Sequence, residues 1–291
     1  MPEANQTDSQ ILVLQGDALD SQSIETLMDE VHADVMDIAV DHRYARLSLP
    51  TPLSADMLTR LRRQHGFDIN QLPAAFDPAQ MRLLLMDMDS TLISIECIDE
   101  IADFLDIKPQ VAEITEAAMR GEIDFETSLK RRIALIHGLD DSALQHVYDE
   151  RLQLNPGAER MLEGLRKQGI KTALVSGGFT YFTKRLQQRL GLDFTLANEL
   201  AFDSNGKLTG IANDVIVGAQ RKADFLSELC VLNDIQPYQV IAMGDGANDL
   251  LMMEQAGLSV AYHAKPTVQQ QAMTALNFSG LDGVLGLLGI N

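Results

Sequence analysis

Short apolar runs alternate with stretches of helical spacing from residue 82 onwards. The apolar runs are RLLLMD, IKTALVS, FTLANEL, VIAMGD and LSVAYH, and the stretches with helical spacing are GAERMLEGLRKQ, FTYFTKRLQQRL and KADFLSELCVL. Runs of the first kind are typical of buried parallel strands, and stretches of the second kind are typical of amphipathic helices. The alternation predicts a Rossmann-like α/β domain over residues 81–291, in which helices cover both faces of a parallel sheet.

One interval interrupts this alternation. Residues 97–153 are helical in character throughout, and they lie between the first and the second predicted core strand. Connections of this length rarely lack structure of their own. We therefore expect a helical cap inserted into the α/β domain at about residues 97–153.

The segment before residue 77 has a pattern of its own. Residues 10–72 predict the element order β-α-β-β-α-β, in which the second and third strands meet at Asp41 and His42 and Ser54 caps the second helix. The stretch PAAFDPAQ that follows contains two prolines and is typical of a linker. Residues 1–76 are therefore expected to form a small, ferredoxin-like α+β domain.

The composition limits the partners of the chain. It carries 42 Asp and Glu against 23 Lys and Arg, a formal net charge of −19, which disfavours nucleic acids and anionic membrane surfaces. The first residues, MPEANQTDSQ, lack the features of a signal peptide, and no apolar stretch approaches the length of a membrane span. We expect a cytoplasmic protein. The spacing of the two cysteines indicates neither a disulfide framework nor a zinc site.

Three of the predicted core strands end in polar sequence, namely MDMDST, VSGGF and MGDGAND. Open parallel sheets bind ligands at the carboxyl ends of their strands, so these segments are expected to share one edge. Four carboxylates would then share a pocket, those of Asp87, Asp89, Asp245 and Asp249. Their mutual repulsion favours a bound cation, and a hard, oxygen-liganded ion such as Mg²⁺ fits this demand. The crowding would also raise the pKa of Asp89 enough for it to carry a proton.

The basic run in FETSLKRRIALI contains one arginine in an unusual position. At about 100° per residue, Phe125, Leu129, Ile133 and Ile136 share one helical face, and Arg132 lies within that face. The two basic residues before Arg132 point elsewhere and are expected to be solvated. An arginine within an apolar stripe needs an anionic partner, and a substrate carboxylate is the favoured candidate.

Four motifs follow one another in the chain: DMDST, SGG, a lysine ahead of the next predicted strand, and GDGAND. In this order they resemble the motifs of the haloacid dehalogenase-like (HAD) phosphatases. The stretches DSTLISIECIDE, MRGEIDFETSLKRRI, VSGGFTYF, GDGANDLLM and AYHAKP further resemble the branch of that family that acts on phosphoserine. The resemblance covers residue 82 to about residue 280, motifs and cap together.

The resemblance implies a role for each matching position. Asp87 would be the nucleophile that forms an aspartyl-phosphate, and Asp89 would be the general acid and then the general base. The groups that hold the phosphate would be Ser176, the Gly177 backbone, Lys222 and Asn248. The Mg²⁺ ligands would be Asp87, the backbone carbonyl of Asp89, and Asp245, while Asp249 would support the metal shell. Glu96 and Arg132 would bind the ammonium and the carboxylate of the substrate.

Two of these assignments have rivals among the residues themselves. Arg221 lies near the same apolar helix face as Lys222, so the choice of Lys222 rests on the resemblance alone. Glu96 precedes a predicted helix, where a carboxylate is also favoured by the helix dipole.

The activity that the resemblance implies is Mg²⁺-dependent hydrolysis of O-phospho-L-serine to L-serine and phosphate, the last step of L-serine biosynthesis. One alternative is a HAD phosphatase or phosphotransferase that acts on another small phosphomonoester. A second class of function follows from residues 10–72, whose order of elements is similar to that of ACT-like domains, which often bind small effectors and dimerise. On that basis the N-terminal domain could act as an amino-acid sensor and could support a homodimer.

Overall fold

A computed structural model of the chain describes residues 10–39, 43–212 and 215–290. The chain forms two compact units. The first comprises residues 1–84, 156–171 and 235–291, and the second comprises residues 85–155 and 172–234.

The N-terminal part of the first unit has the predicted order of elements. These are β1 (Gln10–Gln15), α1 (Ser21–Val31), β2 (Asp34–Ile38), β3 (Tyr44–Leu49), α2 (Ala55–Gln64) and β4 (Asp68–Gln71). The strands form one antiparallel sheet in the order β2-β3-β1-β4. Ser54 caps α2 as predicted, because its hydroxyl oxygen accepts a hydrogen bond from the Met57 amide at 3.2 Å. The predicted strand junction at Asp41 and His42 lies outside the described residues.

Within the first unit, β4 is held to a C-terminal segment by side chains. The Asp68 carboxylate accepts hydrogen bonds from the backbone N–H groups of Asn277, Phe278 and Ser279 at 2.7–3.2 Å. The Asn70 amide exchanges two hydrogen bonds with the backbone of Ala275, at 2.8 and 2.9 Å. These contacts join residues that are more than 200 positions apart in the chain, and the sequence analysis did not predict them.

The predicted parallel sheet is present and has six strands. They are β5 (Leu83–Asp87), β6 (Lys171–Phe179), β7 (Phe194–Asn198), β10 (Val240–Gly244), β11 (Leu258–Tyr262) and β12 (Thr274–Leu276). Their order is β12-β11-β10-β5-β6-β7, and the pairs β6–β7, β10–β11 and β11–β12 are parallel. The strand β12 was not predicted, because three residues are too few to show a period.

Four helices occupy the interval that the sequence assigns to a cap. They are α3 (Cys97–Phe104), α4 (Lys108–Met119), α5 (Phe125–Leu135) and α6 (Asp141–His146). The interval lies between β5 and β6, and an antiparallel bridge between Ile93 and Leu154 joins its two ends. Asp124 starts α5, because its carboxylate accepts a hydrogen bond from the Thr127 amide at 2.7 Å.

A short hairpin after β7 was also missed by the sequence analysis. It consists of β8 (Leu200–Phe202) and β9 (Leu208–Ala212). The backbone of Leu208 bonds to Gly138 and Leu139 at the end of the α5 region, at 2.7 and 2.8 Å. Backbone hydrogen bonds therefore join the hairpin to the helical segment. Such bonds produce no apolar stripe that a sequence pattern would reveal.

The remaining α-helices lie outside the interval that the sequence assigns to the cap. They are α7 (Ala158–Lys167), α8 (Thr180–Leu190), α9 (Ala219–Asn233), α10 (Leu250–Gln255), α11 (Pro266–Gln271) and α12 (Gly283–Leu288). None of the helices in the part of the chain that the structure describes combines the length and the apolar character that a membrane span requires.

Candidate active site

Asp87 closes β5 and is almost fully buried, with 5% of its surface exposed. One carboxylate oxygen, Oδ1, accepts a hydrogen bond from the Met88 amide at 2.7 Å. The other, Oδ2, lies 2.7 Å from Nζ of Lys222, whose side chain is completely buried on α9. A buried ammonium requires a counter-charge close by, and Asp87 supplies it.

The neighbouring Arg221 has a different partner. Its guanidinium forms two hydrogen bonds to the Glu228 carboxylate, each 3.0 Å long. Of the two adjacent cations that the sequence could not separate, the structure therefore places Lys222 against Asp87. The local reason is that consecutive helix residues point about 100° apart, so only one of them can face the strand end.

Asp89 lies in a turn that follows β5. Its own backbone is extended, and Ser90 has a positive φ of 56°, so the chain cannot continue as a regular helix here. This turn directs the Asp89 carboxylate to two donors. Oδ1 accepts from the Cys97 amide at 2.8 Å, and Oδ2 accepts from the Ser176 hydroxyl at 3.1 Å.

The surroundings of Asp89 shift its protonation equilibrium. Burial raises the pKa of Asp89, and the negative charge of Asp87 raises it further, to about 6, although the hydrogen bond from Cys97 opposes the shift. The sequence pattern predicted a shift caused by crowding of like charges, whereas burial is the larger cause. A carboxyl group with such a pKa can both donate and accept a proton near neutral pH.

The glycine turn at the end of β6 brings its backbone close to Asp89. Ser176 is fully buried, and its hydroxyl oxygen accepts a hydrogen bond from the Gly178 amide at 2.7 Å. A Cβ atom on Gly178 would lie 2.9 Å from Oδ2 of Asp89, and one on Gly177 would lie 3.0 Å from Cζ of Phe125. The absence of side chains at Gly177 and Gly178 therefore allows this close approach.

Three of the four predicted aspartates can present oxygen atoms to one point. Carboxylate oxygens of Asp87, Asp245 and Asp249 all lie within 4.8 Å of one another, and the Asp89 side chain does not belong to this group. The buried Asp249 is held in place by the Gly246 amide, which donates to its Oδ2 at 3.1 Å. A set of three carboxylates and no nitrogen or sulfur ligands suits a hard divalent cation. Asn248 lies half-buried in the same turn, Ala247–Asp249.

Arg132 lies half-buried on α5, and its Nε has no hydrogen-bond partner among the described residues. Burial lowers the pKa of Arg132, and three nearby carboxylates oppose this shift, those of Asp99, Glu96 and Asp89. The preceding Arg131 is exposed, as predicted. Arg132 therefore has hydrogen-bonding capacity to offer an anion.

The helical face predicted around Arg132 is only partly buried. Leu129, Ile133 and Ile136 are buried, whereas Phe125 is 38% exposed. The Phe125 ring lies against the glycine turn instead, as its distance from Gly177 shows. Phe125 is the first residue of α5, so no preceding helical turn covers its N-terminal side.

Glu96 precedes the first turn of α3 without capping it by a side-chain hydrogen bond. Its Oε1 atom instead accepts a hydrogen bond from the Ser90 hydroxyl at 2.7 Å. The side chain is exposed, so it remains accessible to a soluble ligand. Sequence reasoning missed Ser90 as a partner because the contact depends on the positive φ of that residue.

Comparison with known proteins places this site in a family. Residues 81–257 match the family model described as haloacid dehalogenase-like hydrolase. The chain belongs to the haloacid dehalogenase-like hydrolases. Among curated relatives of this family, a phosphoserine phosphatase from Polaromonas sp. is 50% identical over 228 residues, which cover 77% of this chain and 96% of the relative.

Two solved structures of HAD hydrolases extend the likeness to almost the whole chain. A HAD family hydrolase from Salmonella enterica subsp. enterica serovar Typhi has a TM-score of 0.88 and 32% identity, covering 97% of this chain and 98% of that one. A probable phosphoserine phosphatase from Vibrio cholerae has a TM-score of 0.83 and 39% identity, covering 97% and 86%. The likeness therefore includes the N-terminal sheet as well as the parallel sheet.

Proposed function

We propose that this HAD hydrolase is a phosphoserine phosphatase, which converts O-phospho-L-serine and water to L-serine and phosphate. The observation that carries the proposal is the arrangement of Asp87, Asp89 and Lys222. A buried carboxylate paired with a buried ammonium lies beside a second carboxyl group whose pKa is about 6. Two relatives named phosphoserine phosphatase, which are 50% and 49% identical to this chain, support the choice of substrate.

In the first half of the reaction, an oxygen of Asp87 attacks the phosphorus atom. The bond between phosphorus and the serine oxygen breaks, and Asp89 donates its proton to that departing oxygen. In the second half, a water molecule attacks the aspartyl-phosphate, Asp89 accepts a proton from the water, and the bond between phosphorus and Asp87 breaks. Asp89 thus ends each cycle protonated, ready for the next substrate.

The phosphate is anionic and must be held next to an anionic nucleophile. We assign this task to the Ser176 hydroxyl, the Gly177 backbone, the Lys222 ammonium and Asn248. Lys222 is already in contact with Asp87, so it can bind an equatorial phosphate oxygen without a large movement. These donors stabilise the charge on the phosphoryl group as it is transferred.

The proposed cation is Mg²⁺, which would be held by Asp87, the backbone carbonyl of Asp89, and Asp245, with Asp249 supporting this shell. The all-oxygen set of carboxylates fits such an ion. When bound, the ion would offset the repulsion between Asp87 and the phosphate.

The serine part of the substrate would be bound by two residues of opposite charge. Arg132 offers an unpartnered Nε to the carboxylate, and Glu96, fixed by Ser90, offers a carboxylate to the ammonium. A different small phosphomonoester, or transfer to an acceptor alcohol, would not need this pair.

The test is phosphate release from a panel of phosphomonoesters, with and without Mg²⁺. The panel contains O-phospho-L-serine, a simple aryl phosphate and a phosphorylated alcohol that lacks the amino and carboxyl groups, and the control is Asp87→Asn. We expect Mg²⁺-dependent release with a clear preference for phosphoserine and none from the variant. Equal rates on all substrates would reject the assignment of the substrate, and full activity of the variant would reject the assignment of the nucleophile.

Several wider assignments accompany this function as proposals. Residues 1–76 would form an ACT-like domain that could support a homodimer, and residues 81–291 would form the phosphatase domain, with the cap at about residues 97–153. The enzyme would act in the cytoplasm, at the last step of L-serine biosynthesis. Size measurement in solution and limited proteolysis between residues 73 and 80 would test the first two assignments.

A cavity in the first unit favours a second, regulatory function. Its volume, counted together with space open to solvent, is about 410 Å³, and its walls include Gln15, Ser279 and four charged residues, Asp17, Arg43, Arg160 and Asp282. Both polar atoms of the Gln15 amide, which is 1% exposed, and the Ser279 hydroxyl lack hydrogen-bond partners among the described residues. Arg43 and Arg160 meet the Asp282 carboxylate there, at 3.1 and 3.6 Å.

The polar lining of this cavity suits a small zwitterion and so supports the sensor hypothesis. If L-serine binds there, Gln15→Leu should abolish any inhibition by L-serine that exceeds simple product competition, and it should leave turnover without added serine unchanged. Inhibition that is purely competitive, or unchanged in the variant, would reject the regulatory function and leave the proposed catalytic one intact.

A further inference from the structure

Asn198, the last residue of β7, connects the C-terminal part of β6 to the segment before α9 in the second unit. Its side chain is 2% exposed, and both polar atoms of the amide are used. Nδ2 donates to the Gly177 carbonyl at 2.8 Å, and Oδ1 accepts from the Val217 amide at 2.8 Å. The donor and acceptor of one rigid amide therefore fix the separation of two backbone segments that are 40 residues apart.

Each of these segments carries a group that touches a reacting carboxylate. Gly177 directly follows Ser176, whose hydroxyl donates to Asp89. Val217 lies just before α9 and is followed by Gly218. The Gly218 carbonyl accepts a hydrogen bond from the backbone N–H of Lys222 in the first turn of the helix. Lys222 in turn contacts Asp87. Within the described part of the chain, the Asn198 side chain hydrogen-bonds to Gly177 and Val217 rather than to Asp87 or Asp89, so its influence on these carboxylates passes through the two segments.

The energetics of the two bonds favour a positioning role over simple space filling. Val217 is buried, so loss of the amide would leave its backbone N–H without a partner in a place that water reaches poorly. The two segments would be expected to shift to recover these hydrogen bonds. Displacements of about 1 Å at groups that stabilise a transition state are enough to slow catalysis markedly.

We propose that Asn198 is a positioning residue for phosphoryl transfer, which sets the distance between the Ser176–Gly177 turn and the start of α9. The inference rests on the proposed function, because it concerns the donors that we assign to the phosphate. We assign binding of the serine part to Arg132 and Glu96, and the side-chain hydrogen bonds of Asn198 go to Gly177 and Val217 instead. Loss of Asn198 should therefore lower kcat and leave KM for phosphoserine nearly unchanged.

The test compares Asn198→Ala and Asn198→Asp with the matched control Asn233→Ala. Asn233 is the last residue of α9, at the opposite end of that helix from Val217. Its side chain donates a hydrogen bond to the Leu229 carbonyl at 2.8 Å. Stability is measured for every variant, and kinetics are measured well below each unfolding transition. We expect kcat to fall about tenfold to a hundredfold in both Asn198 variants, with KM within about threefold of the original value.

The Asp variant retains an acceptor for Val217 but loses the donor to Gly177, so it carries the test if the Ala variant does not fold. Unchanged kcat in a folded Asn198 variant would overturn the proposal, and so would a fall that Asn233→Ala reproduces. Kinetics are repeated with an aryl phosphate. If the original enzyme hydrolyses only the aryl phosphate, the substrate assignment fails, while the predicted fall in kcat on that substrate still tests Asn198.

Discussion

Asp68 and Asp89 are two aspartates in different parts of the molecule whose carboxyl groups are shielded from solvent. They differ in the groups that surround them. In the first unit, Asp68 is buried and accepts hydrogen bonds from three consecutive backbone N–H groups, those of Asn277, Phe278 and Ser279. In the second unit, Asp89 has one backbone donor and one hydroxyl donor, and the charge of Asp87 acts on it.

The comparison separates a structural carboxylate from a chemically active one. Burial raises the pKa of both groups, so a raised pKa by itself does not identify a site. The distinction lies in the neighbours. The donors to Asp68 are backbone groups of a segment that it holds in place, whereas those to Asp89 are the Cys97 amide at the start of α3 and the Ser176 hydroxyl near the end of β6, and the charge of the nucleophile Asp87 also acts on it.

Exchange of each carboxylate for an amide is the sharpest way to break this comparison. Asp89→Asn should lower kcat for phosphoserine by about 10²–10⁴-fold, because no group remains to protonate the departing serine oxygen. The loss should be smaller with an aryl phosphate, whose leaving group needs no proton. Asp68→Asn, assayed in parallel, should keep kcat. A large loss in the Asp68 variant together with a small one in the Asp89 variant would invert the two assignments.

Adjacent cations on α9 provide a second, smaller contrast. Lys222→Met should lower kcat by about 10²–10³-fold, because it removes a positive charge that stabilises the transferred phosphoryl group. The matched control Arg221→Met removes the pair with Glu228 and the contact with the Phe225 ring, and it should change kcat less than about twofold. Steady-state kinetics at saturating Mg²⁺ check both values. Equal effects of the two substitutions would contradict the placement of Lys222 at the reaction centre.

Adjacent arginines on α5 test the proposed contact with the serine carboxylate. Arg132→Leu should raise KM for phosphoserine by about tenfold to a hundredfold, through loss of a charge-assisted hydrogen bond. It should leave the kinetics of an aryl phosphate almost unchanged. Arg131→Leu, at an exposed position, serves as the control with both substrates. A parallel loss on both substrates would show that Arg132 supports the fold of the cap rather than the recognition of serine.

The smallest expected effect on activity belongs to the structural aspartate. Asp68→Ala should lower the free energy of unfolding by about 2–4 kcal/mol, because several backbone N–H groups lose their acceptor. Denaturant titration measures this loss, and kcat at a temperature where the variant is folded should stay within about twofold. A stable Asp68→Ala variant would mean that water replaces the carboxylate without cost.

Sequence patterns predicted the regular elements well because each has a period. The strands β5, β6, β7, β10 and β11, the N-terminal order and the helical cap all follow from runs of apolar residues. The strand β12 and the hairpin β8–β9 were missed, since two of these three strands have only three residues and the hairpin is held largely by backbone bonds to the helical segment.

The site was predictable to the extent that strand ends and motifs define it. The pattern could not separate Lys222 from Arg221, because both lie near one face of α9 and the distance to Asp87 depends on tertiary packing. It missed Asn198 and Asp68 because each forms hydrogen bonds with backbone groups of another segment. Nearly every residue type has such backbone groups, so the sequence does not identify the partner. Helix periodicity placed Phe125 on the same face as Leu129, Ile133 and Ile136, but it could not show that Phe125, at the first residue of α5, is more exposed than they are.

The most direct measurement is the detection of phosphate on Asp87 itself. Enzyme quenched in acid during turnover of phosphoserine, digested and analysed by mass spectrometry should show one phosphoryl group on the peptide that contains Asp87, and Asp87→Asn should show neither the adduct nor turnover. Hydrolysis by the Asn variant at the original rate, or an adduct confined to a peptide that does not contain Asp87, would contradict the account.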